Sequence, residues 1–242
     1  MTEVTEMSQA TEATVRHGGL PERGLRFVRG RASGHFHRRW EIHERGRARV
    51  PASGPVILAS NHIGWLDGPL LVATAPRPPH AMVKEEEFVG KTGRLLRFVG
   101  QIKVSRGRTD AGAIRQAVNA LEAEQCVLIY PEGNRGDGEF TRFKGGVAYL
   151  ALVTGAPVVP VAIFGTRQPG EPSTARPARG SRLDIVYGKP IQFPMQGWPR
   201  DRGMLEDAGE QIHDHLRAHV SAAKDALKRE LPGPLPTGSS DG

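Results

Sequence analysis

The chain has 242 residues, of which 38% are hydrophobic, 30 are glycine and 19 are proline, and its formal net charge is +7. This length is sufficient for one domain with a substantial hydrophobic core. A single cysteine, Cys126, excludes an internal disulfide and is typical of a reducing compartment. No apolar run approaches the ~18 residues of a membrane span, and residues 1–15 lack the basic start and apolar core of a secretory signal. We therefore expect a cytoplasmic protein without a transmembrane helix.

The two ends of the chain differ in composition from the part between them. Residues 1–19 are polar and acidic, and residues 231–242 are rich in proline, glycine and serine, so we expect both to be disordered tails. Residues 20–37 form a basic segment, and residues 38–230 are left for one folded domain.

Between residues 39 and 229, short apolar runs alternate with helical patterns. Strands are predicted at residues 39–44, 56–60, 81–84, 102–105, 126–130, 158–164 and 183–187. Helices are predicted at residues 68–74, 91–99, 110–124, 145–154 and 202–229. This alternation predicts a single layered α/β domain with a largely parallel mixed sheet flanked by helices. In such a sheet, sites gather where the strands end at their carboxyl edge.

The stretch NHIGWLD, residues 61–67, follows the apolar run PVILAS and contains a histidine and an aspartate five positions apart. On a regular helix these two side chains would lie roughly 140° apart and could not meet, so a contact requires a sharp backbone turn. Such a contact would let the His62 imidazole take a proton from a hydroxyl while Asp67 fixes its tautomer. The alternative is that Asn61 and His62 cap the next helix and Asp67 lies in its first turn.

Basic side chains follow three of the other predicted strands. Lys84 ends one strand, Arg106 follows the next, and Arg135 lies in the loop PEGNR together with Glu132. The planar guanidinium of Arg135 suits a phosphate, and Glu132 is suited to accept from hydroxyls or to hold Arg135 in place. Each cation taken singly also fits an exposed surface charge. At one sheet edge with His62, together they predict a pocket that holds a phosphate and activates a hydroxyl.

Metal binding is not expected from this sequence. His215 and His219 are four positions apart on the last predicted helix, but no third ligand is evident. No serine or cysteine is placed as a nucleophile, which favours direct attack by a substrate hydroxyl over a covalent acyl-enzyme.

These motifs together resemble a known family. NHIGWLD, a strand ending before Arg106, PEGNR and the strand APVVPVAIFGT occur in the order found in glycerolipid acyltransferases. The resemblance covers residues 38–195 and is strongest to bacterial 1-acylglycerol-3-phosphate acyltransferases. The order and spacing of four motifs are specific, whereas the histidine–aspartate motif alone would be weak.

The resemblance implies roles for the matching residues. His62 is the expected general base for the free hydroxyl of a lysolipid, and Asp67 is its partner. The activated hydroxyl attacks an acyl thioester, so acyl-CoA or acyl-carrier protein is the co-substrate and no cofactor or metal is expected. The implied substrate-binding residues are Asn61, Lys84, Arg106, Glu132, Gly133, Asn134 and Arg135. Asn134 stands where threonine is commoner in the family. The run KVSR, residues 103–106, stands where an Ile-Asp-Arg-like run is typical.

The basic segment is expected to contact a membrane. Leu25, Val28, Ala32 and Phe36 follow the spacing of one helix face, and nine arginines against two glutamates between residues 23 and 49 provide a positive surplus equal to the net charge of the chain. An amphipathic helix of this type lies in the interface of an anionic bilayer. We therefore expect a peripheral protein at the cytoplasmic face of the plasma membrane.

Three interpretations of the chain follow. The first is synthesis of phosphatidic acid from lysophosphatidate and an acyl thioester. The second is the same chemistry on another acceptor, such as a lyso-aminolipid or a glycolipid intermediate. The third is a basic nucleic-acid-binding protein, which leaves NHIGWLD and PEGNR without a role, so we expect no nucleic-acid partner.

Overall fold

A computed structural model describes residues 18–105, 110–196 and 201–237. Seven strands form one sheet: β1 Glu41–Arg45, β2 Val56–Ser60, β3 Pro79–Lys84, β4 Ile102–Val104, β5 Cys126–Ile129, β6 Val158–Phe164 and β7 Arg182–Tyr187. The strand order is β1-β7-β6-β2-β5-β3-β4, and every neighbouring pair is parallel except β6 with β7. The predicted α/β fold with a largely parallel mixed sheet is confirmed, and both ends of every predicted strand lie within two residues of the observed ends.

Helices cover both faces of the sheet. The described residues form the helices α1 Glu22–Arg39, α2 Asp67–Thr74, α3 Gly90–Phe98, α4 Ala111–Glu122, α5 Gly146–Thr154 and α6 Arg202–Leu227. Apolar side chains of α4, α5 and α6 pack on one face of the sheet, and those of α2 pack on the other, where the end of α1 joins them. The five helices predicted after residue 60 are confirmed to within two residues at each end.

The sequence VILAS explains why β2 lies in the middle of the sheet. All five of its residues are buried. Ile57 and Ala59 face the core cluster under α4 to α6, whereas Val56 and Leu58 face the cluster under α2. A central parallel strand covered on both faces carries a near-continuous apolar run, which here is Val56 to Ala59.

The carboxyl ends of β2, β3, β5 and β6 meet at one edge of the sheet. The pairings of β2 with β5 and β6, and of β3 with β5, are all parallel, so these four strands end on the same side. The NHIGWLD turn follows β2, Lys84 ends β3, and the loop that contains PEGNR follows β5. This topology gathers the predicted site residues of three separate segments.

The apolar stripe of α1 faces the domain, which corrects the prediction that this stripe lies in a membrane. Leu25 is fully buried, and Phe36 packs with the core cluster under α2. On α1, the exposed large apolar side chain is that of Phe27, which is 56% exposed. The physical reason is that packing Leu25 and part of Phe36 against the domain removes apolar area from water, as a bilayer would.

Part of the predicted C-terminal tail packs on the domain. Leu231 is 8% exposed, Pro232 is buried, and the carbonyl of Gly233 accepts a hydrogen bond from Arg167 at 2.6 Å. The prediction of a disordered tail is therefore wrong for residues 231–233. Residues 238–242, and residues 1–17 of the predicted N-terminal tail, lie outside the described ranges.

Within the described residues, no helix combines the length and the apolar character needed to cross a bilayer.

The burial of Leu25 gives a direct test of how α1 is oriented. Replacing Leu25 with Ala should lower the free energy of unfolding by about 2–5 kcal/mol, because a fully buried leucine leaves a cavity. Replacing the exposed Phe27 on the same helix with Ala should change it by no more than about 0.5 kcal/mol. Chemical denaturation of both variants measures the difference, and equal effects would contradict this orientation of the helix.

Candidate active site

His62 and Asp67 are in direct contact. The Nδ1 atom of His62 lies 2.8 Å from Oδ2 of Asp67. The same Oδ2 accepts hydrogen bonds from the backbone N–H groups of Ile63, at 2.7 Å, and Gly64, at 2.9 Å. The chain therefore turns sharply between β2 and α2, as a contact between these two residues requires. The alternative of a simple helix cap is wrong, because Asp67 starts α2 but its side chain points back to the turn and to the imidazole.

The Asp67 carboxylate is fully buried and holds the imidazole in one tautomer. Its other oxygen accepts a hydrogen bond from the Thr166 hydroxyl, which follows β6. Because Asp67 can only accept from Nδ1–H, the Nε2 atom of His62 keeps its lone pair and can accept a proton. The His62 side chain is 16% exposed and lines a large cavity, so a substrate can reach it.

Tyr130, which the sequence analysis did not single out, forms a second contact with His62. The two rings stack with centroids 4.1 Å apart and an angle of 23° between their planes. The Tyr130 hydroxyl is buried without a hydrogen-bond partner in the described part of the chain, and burial raises the pKa of this phenol well above its usual value. The ring thus supports the imidazole from one side while remaining neutral.

Glu132 supports the turn at His62 and does not lie on the cavity wall. It is 5% exposed, and its Oε1 accepts the backbone N–H of His62 at 2.8 Å. The structure corrects its predicted role as a direct substrate contact, because the carboxyl holds the backbone of His62 and does not line the cavity. Desolvation by burial raises the pKa of Glu132 to about 8, although the hydrogen bond from His62 opposes this shift.

Asn61 also has a structural role in place of the predicted substrate contact. Its Oδ1 accepts the N–H of Ile163 at 2.8 Å, and its Nδ2 donates to the Ile163 carbonyl at 3.1 Å. The side chain is fully buried and so extends the pairing of β2 with β6 beyond the last residue of β2. This bidentate contact fixes the point at which the chain leaves the sheet.

Two of the predicted cations lie together in the cavity wall. The side chains of Lys84 and Arg135 are 11% and 10% exposed, and the Glu87 carboxylate lies 4.0 Å from Lys84 Nζ and 3.9 Å from Arg135 Nη2. Gly133 lines the same cavity, whereas Asn134 is half-buried and does not. Arg106 falls outside the described residues, so its predicted place beside the phosphate stays a prediction.

Arg167 links the loops of the site, although no motif in the sequence pointed to it. The residue is 2% exposed, and its guanidinium donates to four backbone carbonyls: Ile63 at 2.7 Å, Gly136 at 2.7 Å, Gly233 at 2.6 Å and Glu171 at 3.1 Å. A planar fork of five donors can serve several carbonyls at once. The residue therefore ties the His62 turn to the loop after β5 and to the C-terminal segment. The available signal was an arginine in the loop just after the buried strand β6, which ends at Phe164.

The cavity beside His62 has a volume of about 1170 Å³ and is walled mainly by apolar side chains. It extends between α1, α2 and α3, where Val28, Phe36, Trp65, Val72 and Leu96 line it. The lining also contains polar groups, among them His62, Lys84 and Arg135. A ligand with a long apolar chain and an anionic group fits this distribution.

A histidine–carboxylate pair, two cations and an apolar cavity lie together at the carboxyl edge of an α/β sheet, and such a pair is able to accept a proton from a hydroxyl. The family model described as Acyltransferase matches residues 41–164, which is just over half of the chain. The chain belongs to this acyltransferase family. The comparisons lend no support to a nucleic-acid-binding protein.

Curated relatives include different lipid acyltransferases. A 1-acyl-sn-glycerol-3-phosphate acyltransferase of Limnanthes alba is 28% identical over 176 residues, which cover 71% of this chain and 61% of that protein. A lyso-ornithine lipid O-acyltransferase of Pseudomonas aeruginosa is 34% identical over 128 residues, which cover 52% of this chain and 49% of that protein. The chain thus spans about half to three-fifths of the length of these two relatives.

The fold has a counterpart among solved structures. The crystal structure of the 1-acyl-sn-glycerophosphate (LPA) acyltransferase from Thermotoga maritima matches with a TM-score of 0.65 and 20% sequence identity. The match covers 85% of this chain and 80% of that protein. At this identity the likeness establishes a shared fold.

The buried Glu132 predicts a specific pH dependence of stability. Because its pKa is about 8 in the folded protein and near the ordinary 4.5 in the unfolded chain, the folded state binds an extra proton between these two values. The free energy of unfolding should therefore fall as the pH rises from about 4.5 to about 8. Glu132→Gln retains an oxygen that accepts the His62 N–H, but its side chain does not titrate, so this variant should lack the decrease in the free energy of unfolding that Glu132 causes. Denaturation at pH 6 and pH 8.5 measures it, and an identical slope in both proteins would contradict the assignment.

Proposed function

We propose that this protein transfers a fatty acyl group from an acyl thioester to the free hydroxyl of 1-acyl-sn-glycerol-3-phosphate, which yields phosphatidic acid. The observation that carries the proposal is the contact between His62 Nδ1 and Asp67 at one end of an apolar cavity, beside Lys84 and Arg135. The names of several curated relatives agree with this acceptor.

The proposed reaction begins when Nε2 of His62 takes the proton of the acceptor hydroxyl. Asp67 stabilises the resulting imidazolium through Nδ1. The acceptor oxygen forms a bond to the thioester carbon, and the electron pair of the carbonyl moves to its oxygen. When this pair returns, the carbon–sulfur bond breaks, and the thiolate of coenzyme A or of a carrier protein takes the proton from His62. Proton transfer and acyl transfer are complete with these groups, so we propose no additional cofactor.

The parts of the cavity suit the parts of the acceptor. Lys84 and Arg135 are nearly buried, so their attraction for a phosphate is screened less by solvent than that of exposed cations would be. The apolar wall between α1, α2 and α3 suits an acyl chain, because about 0.8 kcal/mol is gained for each CH₂ group that is buried. A lysophospholipid placed in this way brings its free hydroxyl toward His62.

A second acceptor class is favoured by one observation. The Glu87 carboxylate lies within 4.0 Å of both cations, which gives this end of the cavity an acidic as well as a basic group. A lyso-aminolipid with an ammonium and a carboxylate would complement such a mixed set, and the relative from Pseudomonas aeruginosa is named for a lyso-ornithine lipid. The reaction at His62 is the same for both acceptors.

We further propose that the protein acts as a peripheral protein at an anionic membrane surface, on the cytoplasmic face of the plasma membrane. Phe27 of α1 and Leu95 and Phe98 of α3 are 56%, 49% and 57% exposed; we call these three residues the apolar patch. The two helices touch where Gly24 lies against Phe98. Exposed cations on both helices accompany the patch: Arg23, Arg31, Lys91 and Arg94. Each cation near an anionic bilayer contributes about 1 kcal/mol.

The apolar patch borders the substrate cavity. Leu95 both belongs to the patch and lines the cavity, and the inner face of α1 supplies Val28, Ala32 and Phe36 to the same wall. A lipid could thus pass from the bilayer between α1 and α3 with its chain shielded from water. This arrangement supports membrane docking through the patch in place of the buried stripe of α1.

The catalytic proposal is tested with His62→Ala and a matched control, His43→Ala, which alters an exposed histidine on β1. The first variant should lose at least about 10²-fold in kcat, because the general base is removed, whereas the control should retain activity. Each protein is assayed with lysophosphatidate, a lyso-ornithine lipid and a lyso-glycolipid, using acyl-CoA and acyl-carrier protein. Turnover that survives in His62→Ala would refute the mechanism, and the preferred acceptor decides between the two lipid classes.

Membrane docking is tested by adding charge to the apolar patch. Phe27→Glu combined with Phe98→Glu should release the protein from vesicles that contain anionic lipid, whereas Met204→Glu, at a 40% exposed position on α6, should leave binding unchanged. Co-sedimentation with vesicles of equal parts zwitterionic and anionic phospholipid, at low and high salt, measures the bound fraction. Undiminished binding of the double variant would exclude the patch as the docking surface.

A further inference from the structure

Glu87 occupies an unusual place for an acidic residue. It is the last residue of a short 3₁₀ helix, Glu85–Glu87, that follows β3. Its Oε1 lies 4.0 Å from Lys84 Nζ and 3.9 Å from Arg135 Nη2, and all three residues line the substrate cavity. A carboxylate of the protein is therefore located where the two proposed phosphate-binding cations converge.

The contacts of Glu87 with these cations are loose. Charge-assisted hydrogen bonds between nitrogen and oxygen are about 2.7–2.9 Å long, so the carboxylate is close to both cations without bonding tightly to either. A phosphate monoester has three oxygens and a charge of about −1.5 to −2 at neutral pH, so it can compete effectively for the same position.

The residues on both sides of Glu87 are held in place, whereas its own side chain reaches solvent. Glu85 pairs with Lys103 at 2.5 Å and with the Ser105 hydroxyl at 2.6 Å, which ties the turn to β4 and the residue after it. Phe88 is 6% exposed. The Glu87 side chain itself is 34% exposed, in contrast to the nearly buried cations. Rotation of this side chain toward solvent would uncover the cation pair without moving the chain.

We propose that Glu87 is an internal counter-ion, which pairs with Lys84 and Arg135 when the site is empty and is displaced by the phosphate of the acceptor. This inference rests on the proposed function. The phosphate is not altered by acyl transfer, so binding it tightly would hold the product as firmly as the substrate. By competing for the cations, Glu87 weakens both complexes equally and favours release of the product.

The proposal is tested with Glu87→Gln and a matched control, Glu86→Gln. Both substitutions remove one negative charge from the same turn, but Glu86 is exposed and does not line the cavity. In Glu87→Gln, the Kd for inorganic phosphate, the KM for lysophosphatidate and the inhibition constant for phosphatidate should each fall on the order of fivefold, as expected for loss of one partly exposed ion pair. In Glu86→Gln all three should stay the same.

Phosphate binding is measured by calorimetry, which does not depend on turnover. If the Kd for phosphate in Glu87→Gln is unchanged or higher, or if Glu86→Gln gives the same decrease, the counter-ion role is refuted while acyl transfer to lysophosphatidate is unaffected. Absence of turnover with any phosphate-bearing acceptor in the unsubstituted protein would instead refute the proposed function. A decrease in the Kd confined to Glu87→Gln, together with turnover of a phosphate-bearing acceptor by the unsubstituted protein, supports the inference.

Discussion

The site depends on a single backbone turn in which the Asp67 carboxylate is surrounded by donors. Two backbone N–H groups, the Thr166 hydroxyl and the His62 imidazole all donate to this one buried group. A buried carboxylate is costly unless it is fully hydrogen-bonded, so the turn that supplies the donors and the charge that requires them stabilise each other. The position of His62 therefore depends on hydrogen bonds whose loss would leave a buried charge unsatisfied and would destabilise the fold.

The other polar residues around this turn hold the backbone and leave contact with the substrate to a few side chains. Asn61 fixes the exit from β2, Glu132 holds the N–H of His62, and Arg167 binds the carbonyl of Ile63. These contacts connect the strands β2, β5 and β6 through the turn at His62. Under the proposed function such support also serves catalysis, because small displacements of a reacting group lower the rate strongly.

The fold was largely predictable from the sequence because its strands are short apolar runs and its helices have clear periodicity. The gathering of NHIGWLD, Lys84 and PEGNR at one edge also followed, since parallel strands end on the same side. The roles of Asn61 and Glu132 did not follow, because a polar residue in a motif looks the same whether it faces a substrate or a neighbouring backbone. Tyr130 was missed because stacking on an imidazole depends on three-dimensional proximity and leaves no spacing pattern.

The spacing of Leu25, Val28, Ala32 and Phe36 correctly indicated the helix α1, but the predicted partner of its apolar face was wrong. An amphipathic stripe specifies that one face leaves water, and it does not distinguish a bilayer from the protein's own sheet and helices. The burial of Leu25 and Phe36 resolves this choice, and it makes α1 part of the cavity wall. Because the same helix carries the exposed Phe27 and several arginines on its outer face, docking of that face and enclosure of an acyl chain by the inner face would involve one rigid element. Under the proposed function, the helix that meets the membrane is also the helix that shields the lipid chain near His62.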